Sequence, residues 1–248
     1  MIGLDYTWRD VWPRPQRQSS LPPGQRVVRA MPRFGVNPTA PPPTVPEAPA
    51  LIIKGDVAHE SVIALKQLSR LDRVEIQADF HCVTTWTVPN LHWSGWLLRD
   101  VWENLVIPRA QPSASATHLR AIGGDRYTSA LRLGDALADQ VLIADRLEGR
   151  PLDLVHGAPL RLVAPAHYGY KSVKHLVGFS IHIEAPRTSG GNIQHPRARV
   201  RFEERHATIA GRLLRWPYRL SIIPIAIRAR RGARRQNHRE RGFGGGSR

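Results

Sequence analysis

The sequence predicts an α+β fold, and three observations carry that prediction. Residues 74–81 alternate strictly between apolar (Val74, Ile76, Ala78, Phe80) and polar (Glu75, Gln77, Asp79, His81) side chains, the period-two mark of a strand. Residues 61–71 and 94–105 space their apolar side chains as amphipathic helices do. Short strands and short helices then follow one another without regular strand–helix–strand alternation and without an internal repeat. With 248 residues, 42% of them hydrophobic, the chain can bury one sizeable core.

The elements follow in order. Residues 1–49 are rich in proline, and APPPTVPEAP (40–49) is a polyproline-like run that wraps over the domain or links to it. Ala50–Val57 reads as a strand running into a Gly-Asp turn. Ser61–Leu71 reads as a helix with Ser61 as its cap. The alternating strand comes next. Cys82 continues its apolar parity, so it faces inward if the strand extends that far. Ser94–Leu105 is read as a helix, ATHLRAI (116–122) as a strand, GGDRY as a turn and RLGDALAD as a short helix. QVLIADRLEGRPL resembles a hairpin turning at Glu148-Gly149. Pro159–Ala164 and Gly178–Glu184 are strands around a Gly-Tyr-Lys loop. The expected organisation is a proline-rich segment over 1–49, a folded domain over 50–206 and a basic tail over 207–248. The last stretch, from Gly232, has too little apolar area to fold.

The net charge of +16 is concentrated at one end: residues 197–248 hold fifteen arginines, no lysine and three glutamates, and the rest of the chain is nearly balanced. This distribution permits a second class of function, a nucleic-acid- or acidic-partner-binding protein that uses the arginine-rich tail. The tail carries no recognisable reading motif, and attraction without base readout is a generic consequence of charge. LLRWPYRLSIIPIAIRARR (213–231) is basic and apolar together, so contact with an anionic membrane surface is a further option, although Pro217 and Pro224 interrupt a single helix. No apolar run approaches about 20 residues, the length of a spanning helix. The first eighteen residues show no export pattern, and the expected location is the cytoplasm.

The single cysteine, Cys82, can form no internal disulfide and no cysteine-rich zinc site. Three readings stand beside one another: a small buried core residue, a nucleophile needing a histidine base in space, and a metal-ligating thiolate whose other soft ligands come from a cofactor. His81 is adjacent in sequence. Neighbouring strand residues point to opposite faces, so adjacency does not argue for a dyad.

ADFHCVTTWT (78–87) followed by HWSGWLLRDVW (92–102) resembles the metal-binding segment of the sulfite oxidase-type molybdopterin-binding domain, with Cys82, Trp86, Trp93, Gly95, Leu98 and Asp100 at the motif positions. LEGRPLDLVHGAPLRLVAPAHYGYKSVKHLVGFSI (147–181) is similar to the same family's second conserved run. LPPGQRVVRAMPRFG and HPRARVRFEERH extend the likeness over most of residues 21–206. The resemblance implies the sulfite oxidase-type fold, with mixed short strands and helices around one cofactor cleft. It implies that the Cys82 thiolate binds the molybdenum of a molybdopterin cofactor and is the catalytic residue. It further implies that Phe34, His156, Arg161, Ser172, Val173 and Lys174 bind the cofactor.

A cofactor that ends in a phosphate needs cations and hydroxyl or backbone donors, which Lys174, Ser172 and the Val173 backbone supply. Arg161 sits mid-strand between Leu160 and Leu162. Buried alone it would be costly, and a bound anion would answer that cost; periodicity equally allows it to face outward. The implied reaction is two-electron oxygen-atom transfer on a small sulfur- or nitrogen-containing substrate, as sulfoxide or N-oxide reduction or as sulfite oxidation. Cys82 is followed by Val-Thr-Thr-Trp-Thr, without the arginine that sulfite oxidases place there, which is closer to the bacterial sulfoxide reductases. No haem domain is read in the chain, so an external electron-transfer partner is implied.

Overall fold

A computed structural model of the chain describes residues 7–13, 21–33 and 39–231. Its strands are β1 (Arg26–Val27), β2 (Ala50–Gly55), β3 (Ser61–Ala64), β4 (Val74–His81), β5 (Trp86–Leu97), β6 (His118–Gly123), β7 (Thr128–Arg132), β8 (Leu142–Leu147), β9 (Arg150–Pro151), β10 (Arg161–Val163) and β11 (Leu176–His182). They form two mixed sheets. In the first, β1, β5, β8 and β10 lie in that order, with β4 also on β5 and β9 on β8. In the second the order is β3-β2-β11-β6-β7, and β2 and β11 are parallel.

One large core joins both sheets to the helical stretch over 98–110. Leu51, Ile53, Phe179 and Ile181 come from the second sheet, Trp96, Ile143 and Leu162 from the first, and Leu98, Val101 and Leu105 from the helix. The middle turn of that helix, Trp102–Val106, widens to π geometry just before Pro108, and the Ile107 N–H bonds back to the Trp102 carbonyl. Gly95 lets β5 close onto β8, because a Cβ there would strike the Ile143 carbonyl.

Two elements differ from the sequence reading. Ser61 caps no helix: Ser61–Ala64 is β3, antiparallel to β2 with Leu51 opposite Ile63 and Ile52 opposite Val62. Helix is confined to Leu65–Leu68. The β-branched pair Val62-Ile63 satisfies helical spacing, but pairing with β2 buries Ile63 and decides for the strand. Likewise Ser94–Leu97 ends the twelve-residue strand β5, and helix begins only at Leu98. The hairpin turn is as expected, with Glu148 and Gly149 both at positive φ.

Beyond β11 the chain runs through short turns to a helical segment made of Gly211–Leu214, Arg215–Leu220 and 222–231. The Ser221 and Ile225 N–H groups bond to the carbonyls of Pro217 and Ser221, so the last two pieces follow on across the prolines. Arg219, Ile222, Ala226 and Ala229 are buried, while Leu213, Trp216, Leu220 and Ile227 face outward. Ile222 packs with Val28, Trp86, Val88 and Cys82. Among the described residues no helix is long and apolar enough to cross a membrane.

Candidate cofactor site

Cys82 follows β4 directly and opens a tight loop between β4 and β5. Its N–H donates to the Trp86 carbonyl at 2.8 Å, and the Thr85 N–H donates to the Cys82 carbonyl at 3.1 Å. Thr85 lies at φ 74°, a left-handed conformation that costs a β-branched residue energy. The Cys82 side chain is 7% exposed, and its Sγ is 3.0 Å from the Thr84 hydroxyl. Burial pushes the thiol pKa up; the Thr84 hydrogen bond and the charges of Arg205 and Lys174 pull it the other way. A soft metal bound at this sulfur would displace the proton that burial retains.

His81 is buried too, which the alternation did not foresee. Opposite Asp79, Pro89 and Asn90 bulge β5, and the register shifts between Ala78 and Phe80. The Thr87 hydroxyl donates to Gln25 Oε1 at 3.1 Å, so His81 Nδ1 donates to that hydroxyl at 2.8 Å. Burial lowers the His81 pKa to about 4. Its lowered pKa makes this histidine a weak base, and its Nδ1 is engaged with Thr87 rather than with the thiol.

The second group comes from β10, the turn Gly169–Lys171 and the start of β11. Arg161 is 0% exposed. The structure thereby settles what periodicity left open: all of β10 is buried, on both faces. The guanidinium donates to the His156 carbonyl at 2.9 Å and to the Ser172 carbonyl at 3.4 Å, and it lies 4.9 Å from the Trp93 ring centre and 5.3 Å from that of Phe80. Nε has no partner, and among the described residues no carboxylate pairs with this cation. Burial alone lowers its pKa to about 9.

Lys174 is half-buried. Nζ donates to the Val155 carbonyl at 2.7 Å. Burial, then the charges of Arg161 and Arg33, lower its pKa to about 7 against the opposing pull of Asp153 and Asp125. Gly157, at φ 108°, lets the chain pass against Lys174, since a Cβ there would meet the lysine side chain.

Around these cations stand the other expected residues. The Ser172 hydroxyl accepts from the Ala164 N–H at 3.1 Å, and Val173 is buried in the main core. His156 turns its ring to Asp153, with Nδ1 2.8 Å from Oδ1, and it is the His156 carbonyl that meets Arg161. Lys171, the neighbouring cation, has one acceptor more: Nζ donates to the carbonyls of Ala130 and Pro196 at 2.5 and 2.7 Å. Phe34 lies outside the described residues. A cavity of about 490 Å³ opens elsewhere, lined by residues of 195–212 such as Phe202, Glu204 and Ile209.

Sequence reasoning missed Gln25, Arg205 and Arg219, all three of which hold the Cys82 loop. Gln25 Nε2 donates to the Cys82 carbonyl at 3.1 Å. Arg205 donates to the Val83 carbonyl at 2.5 Å and pairs with Glu203. Arg219 Nε donates to the Thr85 hydroxyl at 3.3 Å. The arginines were hidden among many others in a basic segment. The Glu203-Glu204 pair within that segment was the available signal.

The donor set fits an anionic cofactor bound through sulfur-rich metal. Among the described residues a buried arginine and a half-buried lysine form no ion pair with a carboxylate, and the arginine has an open Nε. The charge of one reaches a lone thiol suited to a soft metal.

A family model described as the oxidoreductase molybdopterin binding domain matches residues 39–189. The chain is 33% identical over 128 residues to the uncharacterized oxidoreductase YuiH of Bacillus subtilis, covering 52% of this chain and 62% of that protein. It is 28% identical over 161 residues to the protein-methionine-sulfoxide reductase catalytic subunit MsrP of Pseudomonas syringae, covering 58% and 46%. To MsrP of Xanthomonas campestris it is 29% identical over 179 residues, covering 60% and 53%. These matches span less than two thirds of each relative's length. Among solved structures, the sulfane dehydrogenase SoxCD from Paracoccus pantotrophus aligns with a TM-score of 0.51 at 22% identity, over 61% of this chain and 44% of that one, a likeness of fold.

Proposed function

Because the chain belongs to the oxidoreductase molybdopterin-binding domain family, we propose that it is a molybdenum enzyme that performs two-electron oxygen-atom transfer on a small sulfur- or nitrogen-containing substrate, with sulfoxide reduction as the preferred direction. The observation that carries this is a lone thiol together with two cations that form no ion pair with a carboxylate among the described residues: Cys82 on one side, buried Arg161 and half-buried Lys174 on the other. When bound, the cofactor supplies the two-electron couple that takes up or gives up the oxygen atom.

The chain's own residues do the rest. Cys82 Sγ ligates the metal, and the Thr84 hydroxyl, 3.0 Å away, donates to the thiolate and stabilises its charge. Arg161 and Lys174 receive the cofactor's phosphate. Each is already depleted of water, so a charge-assisted hydrogen bond there replaces an unmet burial cost. Ser172 and the Val173 backbone shape the same turn. Phe80 and Trp93 sandwich the Arg161 guanidinium and keep solvent from it. In sulfoxide reduction the sulfoxide takes up two protons and two electrons and leaves as the thioether and water. The electrons come from a separate donor.

Two observations favour this direction over sulfite oxidation. The residues after Cys82 include no arginine to hold a dianion. Arg205 and Arg219, which approach in space, are engaged with Glu203, Thr85 and backbone carbonyls. The similarity to proteins named as methionine-sulfoxide reductases points the same way.

The test is to purify the chain from a host that makes molybdopterin and measure molybdenum, pterin and turnover with methyl sulfoxides and with sulfite. Near-stoichiometric metal and pterin, with sulfoxide turnover exceeding sulfite oxidation, is the expected result. Protein empty of both metal and pterin rejects the enzyme reading, and sulfite turnover alone reverses the direction.

A further inference from the structure

The Cys82 loop is held from outside the part of the chain that the family model covers. Four anchors reach residues 82–85. Gln25 Nε2 donates to the Cys82 carbonyl, Arg205 Nη1 to the Val83 carbonyl, the Arg26 N–H to the Thr85 carbonyl and Arg219 Nε to the Thr85 hydroxyl. All four donors come from residues 25–26 or 205–219, beyond the matched 39–189. The two arginines also tie these outlying segments to each other: Arg205 Nη2 donates to the Pro23 carbonyl at 3.1 Å, and Arg219 Nη2 to the Gly24 carbonyl at 3.3 Å. Glu203 holds Arg205 in turn and is itself held by Arg215, at 2.6 Å through each oxygen.

What they hold is a strained turn. Thr85 at φ 74° is strained backbone for a β-branched residue and persists only where the surroundings over-determine it. Here the backbone carbonyl and the hydroxyl of the same residue are both fixed. The carbonyls of the two residues that begin the loop are fixed as well. A relaxed turn would swing the residue that starts it, and that residue is Cys82.

We infer that Arg205 and Arg219 are positioning residues, which hold the loop 82–85 in its strained form and so fix the direction of the Cys82 sulfur. The geometry stands whether or not a metal is bound. Its consequence for the loaded enzyme rests on the reading of Cys82 as the ligand. These two buried cations thus act through the loop that carries Cys82.

The test uses Arg205→Gln, Arg219→Gln, the conservative Arg219→Lys, and Arg215→Gln as the control, because Arg215 pairs with Glu203 and donates no hydrogen bond to the loop. Two quantities are read on the full chain. The first is the rate at which iodoacetamide alkylates Cys82 in metal-free protein, which is specific because the chain has one thiol. The second is the molybdenum electron paramagnetic resonance spectrum of the purified enzyme.

Both Gln variants should alkylate roughly tenfold faster, the signature of a loop that opens more readily, and their spectra should shift. Arg219→Lys should restore most of both. Arg215→Gln should melt earlier yet keep the wild-type rate and spectrum. Wild-type rates and spectra in the Gln variants overturn the inference, as does an equal change in Arg215→Gln, which would mean general loosening. If the Gln variants do not fold, Thr85→Val decides: valine keeps the shape and the strained φ but lacks the hydroxyl that Arg219 holds, so the loop should open more readily and alkylation accelerate, and an unchanged rate overturns the inference. A wild-type protein that carries no molybdopterin rejects the proposed function alone, because the alkylation rates still decide the clamp.

Discussion

Arg205 and Arg161 are both fully buried, yet their surroundings differ. Arg205 has a carboxylate, Glu203, and two backbone carbonyls, Val83 in the Cys82 loop and Pro23 outside it. Arg161 has two carbonyls, the second at 3.4 Å, two aromatic rings and an open Nε. A saturated buried cation is a structural tie, because its charge is answered within the chain. An unsaturated one is a standing cost unless something outside the chain answers it. Under the proposed function, the contrast would separate the part of the site that builds the metal anchor from the part that would receive the cofactor's phosphate. Lys171 and Lys174 repeat it three residues apart: the first spans two carbonyls and the second has one.

The largest expected effect lies at the point both regions serve. Cys82→Ala should reduce sulfoxide turnover by more than about 100-fold, beyond what loss of an outer partner of a metal site costs. Some pterin should remain bound through the Arg161 and Lys174 side, as elemental and pterin analyses of one preparation would show. Arg161→Gln should do the reverse, retaining Cys82 but weakening pterin retention about 10- to 100-fold, since a charge-assisted bond contributes about 1.5–3 kcal/mol. Pterin loss of that size in Arg205→Gln would break the contrast.

A pH titration sharpens it further. Lys174 titrates at about 7 and Lys171 at about 8 in the fold, against 10.5 for a free lysine. Between those values the unfolded chain holds more protons than the folded one, so the cofactor-free protein should gain stability as pH rises from about 7 to 10. Above that, the raised Tyr127 and Tyr168 hydroxyls, at about 12, work in the opposite sense. Thermal melts across this window should show the rise, and Lys174→Met should flatten it. The smallest effect on the cofactor is expected for Lys171→Met. Pterin content should stay unchanged while the melting temperature drops, because two buried carbonyls lose their donor at about 1–3 kcal/mol each.

What was legible in the sequence followed the locality of each signal. The strand before Cys82 was visible in its own alternation, and the hairpin at Glu148-Gly149 in its turn residues. β5 was hidden because Pro89 and Asn90 interrupt it, and their bulge makes sense only against Asp79, whose Oδ1 accepts the Asn90 N–H at 2.9 Å. β3 was hidden because its pairing partner, not its own spacing, decides its state. Cys82, Arg161 and Lys174 stood in recognisable runs. Arg205 and Arg219 did not, since one arginine in a basic segment resembles the next until Glu203, Thr85 and the Val83 carbonyl are placed beside them.

The chain's having one thiol carries a chemical consequence of its own. Oxidised to a sulfenic acid, Cys82 would find no second cysteine with which to close a disulfide, so recovery would depend on a thiol from outside. Its near-complete enclosure by Val28, Trp86, Val88 and Ile222 therefore shields the thiol from oxidants.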